Sequence, residues 1–349
     1  MEKIDIIEIF KETFNDDCLR YTQTPFRWIG KDFIGTLREK FTGYQLIVSR
    51  FFVVLNALKK YNDYLKYKSK ISTICNQLVI CIEEYFKGLP YKAYMQFDKI
   101  INDNFDEQIA FMVYFSPWLG NTKFYRTVTI SDGRSYKRDR CFHVPYNMRE
   151  KVSTSRFSIP GHPSLYLSDN IDLCNIEIGK EKNKLFSKFQ VNYETKLGSN
   201  FRIVDLSMQI NDVVDMLGEG CDEDAALKFI IGYLMRLPIQ LACSFIRIDR
   251  NSSFSVEYVI PQIVMQWVKE NTSSQAVVGI KYKSCANKLC SQLGNNYVFP
   301  TSGLSENQND FCPVLSNSFI MTLPVNSNDY NTLGEIKTVL DQMELKKVK

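Results

Sequence analysis

Histidine, a frequent catalytic acid, base and metal ligand in proteins, is scarce in this chain. Only two occur in 349 residues, His143 and His162. This scarcity argues against mechanisms that need a histidine base and against metal sites that need several histidine ligands. The patterns GxxxxGK[ST] and GxSxG are also missing from the sequence. Their absence argues against a phosphate-binding loop and against a serine nucleophile elbow. We therefore expect no metal and no histidine-dependent catalysis.

Strong charge imbalance and long apolar runs are missing too. The chain has 43 Lys+Arg and 39 Asp+Glu, and the resulting net charge of +4 is too small to indicate a nucleic-acid partner. Arg50 interrupts the apolar stretch 44–58, and Arg236 and Pro238 interrupt the stretch 229–246. A membrane span needs about 20 uninterrupted apolar residues. The sequence therefore predicts neither a nucleic-acid partner nor a membrane segment.

The ten cysteines are scattered, and no CxxC pair occurs among them. The N-terminal segment MEKIDIIEIFKE carries acids where a secretory signal carries a basic region. Free cysteine is among the most buried residue types, and disulfides are rare in the cytosol. We expect a cytoplasmic protein whose thiols are reduced and mostly buried.

Hydrophobic periodicity divides the chain into two parts near residue 115. Before that point, apolar residues recur at i, i+3 and i+4, as in 71–86 and in 31–64 with a break or a bend near Gly43. After it, β-branched and aromatic segments alternate with helical ones. The predicted fold class is α+β, with a helical N-terminal domain at 1–115 and a mixed α/β domain at 116–349.

The stretch from Arg156 to Glu177 carries side chains that suggest chemistry. Arg156 precedes the turn IPGHP, and a short strand with Tyr166 follows. Asp169 or Asn170 then caps a helix that carries Glu177. A guanidinium can hold a pyrophosphate, a tyrosine ring can stack on a heterocycle, and a carboxylate can accept from ribose hydroxyls. By spacing alone, the simpler interpretation is a surface ion pair between Arg156 and Glu177, with Tyr166 in the core.

Five segments, in order, resemble the RES family of toxin-like proteins, which is named for an arginine, a glutamate and a serine. They are FYRTVT (124–129), SRFSIPGHPSLYLS (155–168), Glu177, YVIPQIVMQWV (258–268) and VGIKYKS (278–284). The departures are modest: Ser155, Phe157 and Ser158 stand where the family usually has glycine, tryptophan and asparagine. The resemblance covers roughly residues 120–320 and leaves the N-terminal helical part outside it.

The resemblance implies a role for each matching residue. Arg126 and Arg156 match the arginines that hold the pyrophosphate of NAD, and Tyr166 matches a tyrosine that stacks near the nicotinamide. Glu177 matches the glutamate that positions the ribose and stabilises positive charge while the glycosidic bond breaks. Ser284 matches the serine that hydrogen-bonds the ribose or the nicotinamide. Together they would form a catalytic and NAD-binding set that needs no metal.

Each assignment has a structural alternative. Arg126 could be a surface charge at a strand edge, and the long spacer after it allows another arginine within 134–149 to take its place. Tyr166 could pack in the core, Glu177 could lie on a solvated helix face, and Ser284 could be a polar residue at the end of a strand.

The resemblance also implies a fold and an activity. RES proteins are similar in fold to mono-ADP-ribosyltransferases, and their cleft takes NAD as a substrate. The expected function is an NAD glycohydrolase or NAD phosphorylase that acts as a toxin or antiphage defence effector. A mono-ADP-ribosyltransferase that modifies a protein is the alternative, and a non-enzymatic interaction module is a third. Family toxins are restrained by a cognate antitoxin, and the N-terminal helices here could supply regulation or homo-oligomerisation.

Overall fold

The structure is a computed structural model of the chain. It describes residues 5–28, 32–114, 122–130, 136–179, 183–195, 201–218, 221–249, 251–271, 277–302 and 311–348. The chain forms two compact units. The helical unit contains residues 1–111 and 206–264, and the sheet unit contains residues 112–205 and 265–349.

Helices and a mixed set of strands make up the described chain, which confirms the α+β class. The helices are α1 (Ile6–Thr13), α2 (Leu19–Thr22), α3 (Phe33–Ala57), α4 (Lys66–Phe86), α5 (Pro90–Asn104), α6 (Ile171–Glu177), α7 (Ile210–Leu217), α8 (Glu223–Cys243), α9 (Val259–Glu270), α10 (Cys290–Leu293), α11 (Pro313–Ser318) and α12 (Leu333–Gln342). The strands are β1 (Val113–Tyr114), β2 (Phe124–Thr129), β3 (Ser164–Ser168), β4 (Lys184–Val191), β5 (Phe201–Leu206), β6 (Val277–Lys283), β7 (Asn295–Pro300), β8 (Phe319–Met321), β9 (Val325–Asn326) and β10 (Lys346–Lys347).

Of the break or bend predicted near Gly43, the break is wrong, because α3 continues through this residue. Gly43 is buried on the side of α3 that faces Tyr21. A Cβ atom at this position would lie 2.2 Å from the Tyr21 ring. The glycine therefore makes room for an aromatic ring, and the helix tolerates the weaker propensity of one glycine.

The helix α8 is a long apolar element of the helical unit. By length and composition it could cross a membrane, but 89% of its most apolar window is buried inside the structure. Tyr44 of α3 donates a hydrogen bond to the Leu234 carbonyl of α8 at 2.5 Å. Burial on all sides is typical of a helix in the core of a protein.

The units differ from the two domains that the sequence predicts. The chain passes between units at 111/112, near the predicted boundary, but residues 206–264 group with the N-terminal helices. Residues 230–243 of α8 are all buried, so this helix needs apolar neighbours around its whole circumference, and α1, α3 and α4 contact it. The function assigned to 116–349 stays a prediction.

The strands of the sheet unit form one ten-stranded sheet in the order β1-β5-β6-β7-β3-β2-β4-β8-β10, and β9 pairs with β4. One residue pair, Tyr125–Ser168, joins β2 to β3 in the middle of this order. We call this pair the seam. It divides the sheet into a β1-β5-β6-β7-β3 half and a β2-β4-β8-β9-β10 half.

Each face of the sheet has its own apolar core. One face buries the larger cluster, which includes Phe124, Leu165, Phe189, Tyr297 and Phe299. The opposite face packs Tyr125, Ile171, Phe186 and Ile336 together. Ile171 begins α6 and Ile336 lies in α12, so these two helices cover the second face. The second face is where the predicted site residues of β3 and α6 lie.

The cysteines are mostly buried, as the sequence predicts. Eight of the ten are buried, Cys174 is half-buried and Cys221 is exposed.

Candidate functional site

The start of α6 is fixed to the strand β7. Asn170 accepts a hydrogen bond from the Leu173 amide at 3.0 Å, so it is the N-cap of the helix. Asp169, the other predicted cap, instead accepts from the Asn295 backbone amide at 2.7 Å and from its side-chain amide at 2.8 Å. These contacts hold the first turn of α6 against β7 and so limit where Glu177 can lie, two turns later.

The end of α6 is fixed by Lys184 at the start of β4. Its ammonium donates to the carbonyl and side-chain oxygens of Asn175 at 3.1 and 2.7 Å, and to the Gly179 carbonyl at 2.6 Å. Lys184 is buried. A cation is favourable at a helix C-terminus, where the last carbonyls lack partners. Lys184 therefore fixes the turn that contains Glu177.

The helix α6 spans the seam. Asn295, which binds its first turn, lies in the β1-β5-β6-β7-β3 half. Lys184 and Tyr125 lie in the other half, and Cys174 of α6 donates from its thiol to the Tyr125 carbonyl at 3.2 Å. One short helix thus takes its position from both halves of the sheet.

The carboxylate of Glu177 accepts two hydrogen bonds on one oxygen. Ser284 Oγ donates to Glu177 Oε1 at 2.6 Å, and Asn296 Nδ2 donates to the same oxygen at 2.7 Å. Ser284 is fully buried and Asn296 is 5% exposed. The guanidinium of Arg156, itself buried, interacts electrostatically with the carboxylate. Residues far apart in the sequence therefore converge on Glu177.

The pKa of Glu177 is raised above its usual value. Desolvation by the surrounding protein atoms is the main cause, while the hydrogen bonds from Ser284 and Asn296 and the charge of Arg156 act in the opposite direction. Glu177 as a residue is still solvent-exposed. The Glu177 carboxylate is therefore partly desolvated by its neighbours and still accessible from solvent.

Aromatic side chains lie beside this carboxylate. The Tyr166 hydroxyl donates to the Phe157 carbonyl. The Phe157 ring lies 4.7 Å from the ring of Tyr282. Burial raises the pKa of Tyr282 well above its usual value, and the nearby Glu177 adds to this effect. Tyr282 is therefore a neutral phenol that packs next to the charged pair.

Arg126 lies where β2 and β3 separate beyond the seam. Its Nη1 donates to the Tyr166 carbonyl at 2.8 Å. Among the described residues, its buried Nε has no hydrogen-bond partner. Burial lowers the pKa of Arg126. The Arg126 guanidinium thus binds the Tyr166 carbonyl next to the point where the pairing of β2 with β3 ends. Through this bond Arg126 contacts the main chain of the predicted site.

The other arginines proposed for the first motif also bind main-chain carbonyls. Arg138, Arg140 and Arg149 each donate at 3.1 Å, to Met321, Thr129 and Gly161 respectively. Arg134 lies outside the described residues. Of the candidates that are described, Arg126 is the one that contacts a residue of the site.

The structure brings Arg156, Tyr166, Glu177 and Ser284 into one cluster. The roles that the RES resemblance implies for them stay predictions. Sequence reasoning missed Asn296 and did not assign a role to Tyr282. A signal for Asn296 existed, because asparagine is depleted in strands and here it begins an otherwise apolar one, NNYVFP.

Both histidines lie in a different cluster of the sheet unit. His143 Nε2 accepts from the Cys312 amide at 2.9 Å, so Nδ1 carries the proton that is donated to the Val144 carbonyl at 2.8 Å. Burial lowers the pKa of His143 to about 4. His162 contacts the Thr301 carbonyl at 3.0 Å. The described part of the chain contains no group of three or more His, Cys, Asp or Glu residues that could hold a metal ion.

Comparison with known proteins finds one relevant similarity. The chain is 30% identical over 272 residues to "Putative toxin YopC" of Bacillus subtilis (strain 168). The aligned region covers 74% of this chain and 59% of that protein, so the chain spans less than two thirds of its relative. No protein-family model matches the chain, and no solved structure matches it significantly.

Proposed function

We propose that this protein cleaves the glycosidic bond between nicotinamide and ribose in NAD. The observation that carries the proposal is the Glu177 carboxylate, which two donors orient through Oε1 beside the buried Arg156. A fixed anion next to a fixed cation suits a substrate that carries a pyrophosphate and develops positive charge on a sugar. The aromatic rings of Tyr166 and Tyr282 add a surface for a flat heterocycle.

The reaction is a dissociative substitution at the anomeric carbon. The bond from that carbon to the pyridinium nitrogen breaks, and its electron pair neutralises the nicotinamide. The oxocarbenium ion that remains is stabilised by Glu177 while Arg156 holds the pyrophosphate. An acceptor then attacks the same carbon and loses its proton to solvent. With water the product is ADP-ribose, with phosphate it is ADP-ribose-1″-phosphate, and with a side chain it is a modified protein.

We further propose that the chain is a toxin or defence effector. The support is its similarity to a protein whose name designates a toxin, over 74% of this chain. Depletion of NAD stops growth without any specific target, so the chemistry and the role are compatible. A cognate antitoxin would then have to bind the chain and block access to Glu177.

The test is nicotinamide release from NAD by the purified chain, with and without phosphate. We expect release by the wild type, a fall in kcat of about 10²- to 10³-fold in Glu177→Gln, and a rise in KM of about tenfold or more in Arg156→Ala. Mass spectrometry of the second product identifies the acceptor. Parallel expression in bacteria measures growth and cellular NAD.

The matched control is Glu150→Gln, which makes the same change on an exposed residue of the sheet unit. It should release nicotinamide at the wild-type rate. Absence of release under every condition, including addition of a cell extract as a source of protein acceptors, would overturn the enzymatic proposal.

A further inference from the structure

Among the described residues, two side chains donate hydrogen bonds to the Glu177 carboxylate, those of Ser284 and Asn296. The sequence patterns assigned a role to Ser284 but none to Asn296. Its amide donates to Glu177 Oε1 at 2.7 Å from a site that is 5% exposed. We infer that Asn296 is a positioning residue, which anchors Glu177 through Oε1 so that Oε2 is the oxygen presented to the ribose. This inference rests on the proposed function.

The place of Asn296 in the sheet explains how it can fix a carboxylate. It pairs with Ser168 of β3 on one side and with Tyr282 of β6 on the other. Directly opposed residues of antiparallel strands point to the same face. Asn296 therefore lies in the middle of a three-strand row on the face that carries α6, with its backbone held from both sides.

The chemistry of an amide suits this role. Its NH₂ group donates but has no pKa that could let it exchange a proton with the carboxylate. Together with Ser284 it places two donors on Oε1, and hydrogen bonds to the charged form favour ionisation. Among the described residues, no donor lies on Oε2. The two oxygens are thus divided between the protein and the substrate.

This division assigns Ser284 a different part from the one that the RES resemblance implies. In the structure its hydroxyl hydrogen is donated to Glu177 Oε1, and its oxygen accepts from the Ala286 amide at 3.3 Å. Ser284 and Asn296 therefore form one two-donor support. A serine alone would leave the carboxylate free to rotate about a single hydrogen bond, and the second donor removes that freedom.

The experiment measures the ionisation of Glu177 directly and activity separately. Carboxyl ¹³C NMR titration of the full chain, with the Glu177 signal assigned by its loss in Glu177→Gln, is compared for wild type and Asn296→Ala. Loss of a donor should raise the pKa of Glu177 and move the acidic limb of kcat in the same direction. We expect kcat to fall about 10- to 100-fold, as for loss of a hydrogen bond to a charged group, with a smaller change in KM.

The control variant is Asn147→Ala, which makes the same change on an exposed residue of the sheet unit. The pKa of Glu177 should be the same in this variant as in the wild type. If Asn296→Ala does not fold, Asn296→Asp keeps the shape and replaces the donor by an acceptor. That variant should raise the pKa of Glu177 further, because two carboxylates then share one site.

The outcomes separate this inference from the proposed function. An unchanged titration and an unchanged kcat in the folded Asn296 variants would overturn the positioning role while nicotinamide release by the wild type stands. The wild type could release no nicotinamide while the Asn296 variants still shift the pKa of Glu177. That result would support the anchoring of Oε1 by Asn296 and overturn the assignment of Oε2 to ribose.

Discussion

The helical unit and the sheet unit each hold a glutamate whose Oε1 accepts two hydrogen bonds. In the helical unit, Glu257 accepts from Trp28 Nε1 at 3.0 Å and from the Ile248 amide at 3.1 Å, and it is 4% exposed. In the sheet unit, Glu177 accepts from two side chains and stays solvent-exposed. The contact pattern is the same, and the surroundings differ.

The difference lies in what each glutamate holds together. Glu257 ties an indole and a main-chain amide from distant segments of the chain, so its contacts serve the fold. Glu177 has Arg156 and Tyr282 beside it, and the residue is exposed to solvent. Two hydrogen bonds on one oxygen therefore do not identify a functional carboxylate. What distinguishes Glu177 from Glu257 is its exposure to solvent and the neighbouring cation, Arg156.

The largest effect should come from removing the buried glutamate. Glu257→Ala leaves Trp28 Nε1 and the Ile248 amide without their acceptor inside the helical unit. We expect a loss of about 3 kcal/mol in the free energy of unfolding, measured by urea denaturation. Nicotinamide release per folded molecule should stay at the wild-type level. A stable variant that has lost activity would contradict the distinction between the two glutamates.

Acidification should destabilise the sheet unit through His143, which is 1% exposed. Its pKa falls from 6.5 to about 4 in the folded state. The unfolded chain therefore binds a proton below pH 6.5 that the folded chain refuses until about pH 4. Stability should fall by up to about 3 kcal/mol across this window.

The measurement for His143 is thermal unfolding at a series of pH values for the wild type and His143→Gln. Gln can accept from the Cys312 amide but does not titrate, so its stability should depend less on pH over this window. Parallel curves for the two proteins would show that His143 does not carry the acid sensitivity.

Lys184 should matter to both stability and activity. Lys184→Met removes the ammonium from three oxygens at the end of α6, and we expect a loss of about 2 kcal/mol. Because this turn carries Glu177, kcat should also fall, by about tenfold. Lys123→Met is the control, since Lys123 is exposed and pairs with Asp341 at 2.9 Å. A Lys184→Met protein with wild-type kcat would show that α6 holds its place without this lysine.

The smallest effect is the stability gained when Glu177 loses its charge. A carboxyl whose folded pKa is raised stabilises the fold when protonated, and this contribution is lost as pH rises through the folded pKa. Glu177→Gln should therefore unfold at a slightly higher temperature than the wild type at neutral pH. The difference should vanish below the pKa of an unperturbed glutamate. A lower unfolding temperature at neutral pH would contradict the desolvation of this carboxylate.

Local signals in the sequence were sufficient for several features. Hydrophobic periodicity predicts the α+β class, and residue chemistry at the start of an apolar helix predicts a cap at Asp169 or Asn170, of which Asn170 is the one observed. The convergence of Arg156, Tyr166, Glu177 and Ser284 required a family resemblance, because a spacing along the chain cannot show which strands become neighbours.

Other features depend on tertiary contacts. The grouping of 206–264 with the N-terminal helices arises from packing around α8, which the sequence presents only as an apolar helix. The local pattern does not show why α3 carries a glycine at position 43, because the Tyr21 ring that Gly43 accommodates belongs to α2. The contact of Asn296 with Glu177 depends on the position of β7 between β3 and β6, which local sequence signals do not show.

The seam shows that strand pairing is not what holds the middle of the sheet unit together. One ladder pair and the Arg126 contact to Tyr166 join the two halves there. The larger apolar cluster crosses the same line, with the Phe124 ring 4.9 Å from that of Tyr297 and the Phe299 ring 5.1 Å from that of Phe319. Because α6 is fastened to both halves, the position of Glu177 depends on this packing as well as on its own donors.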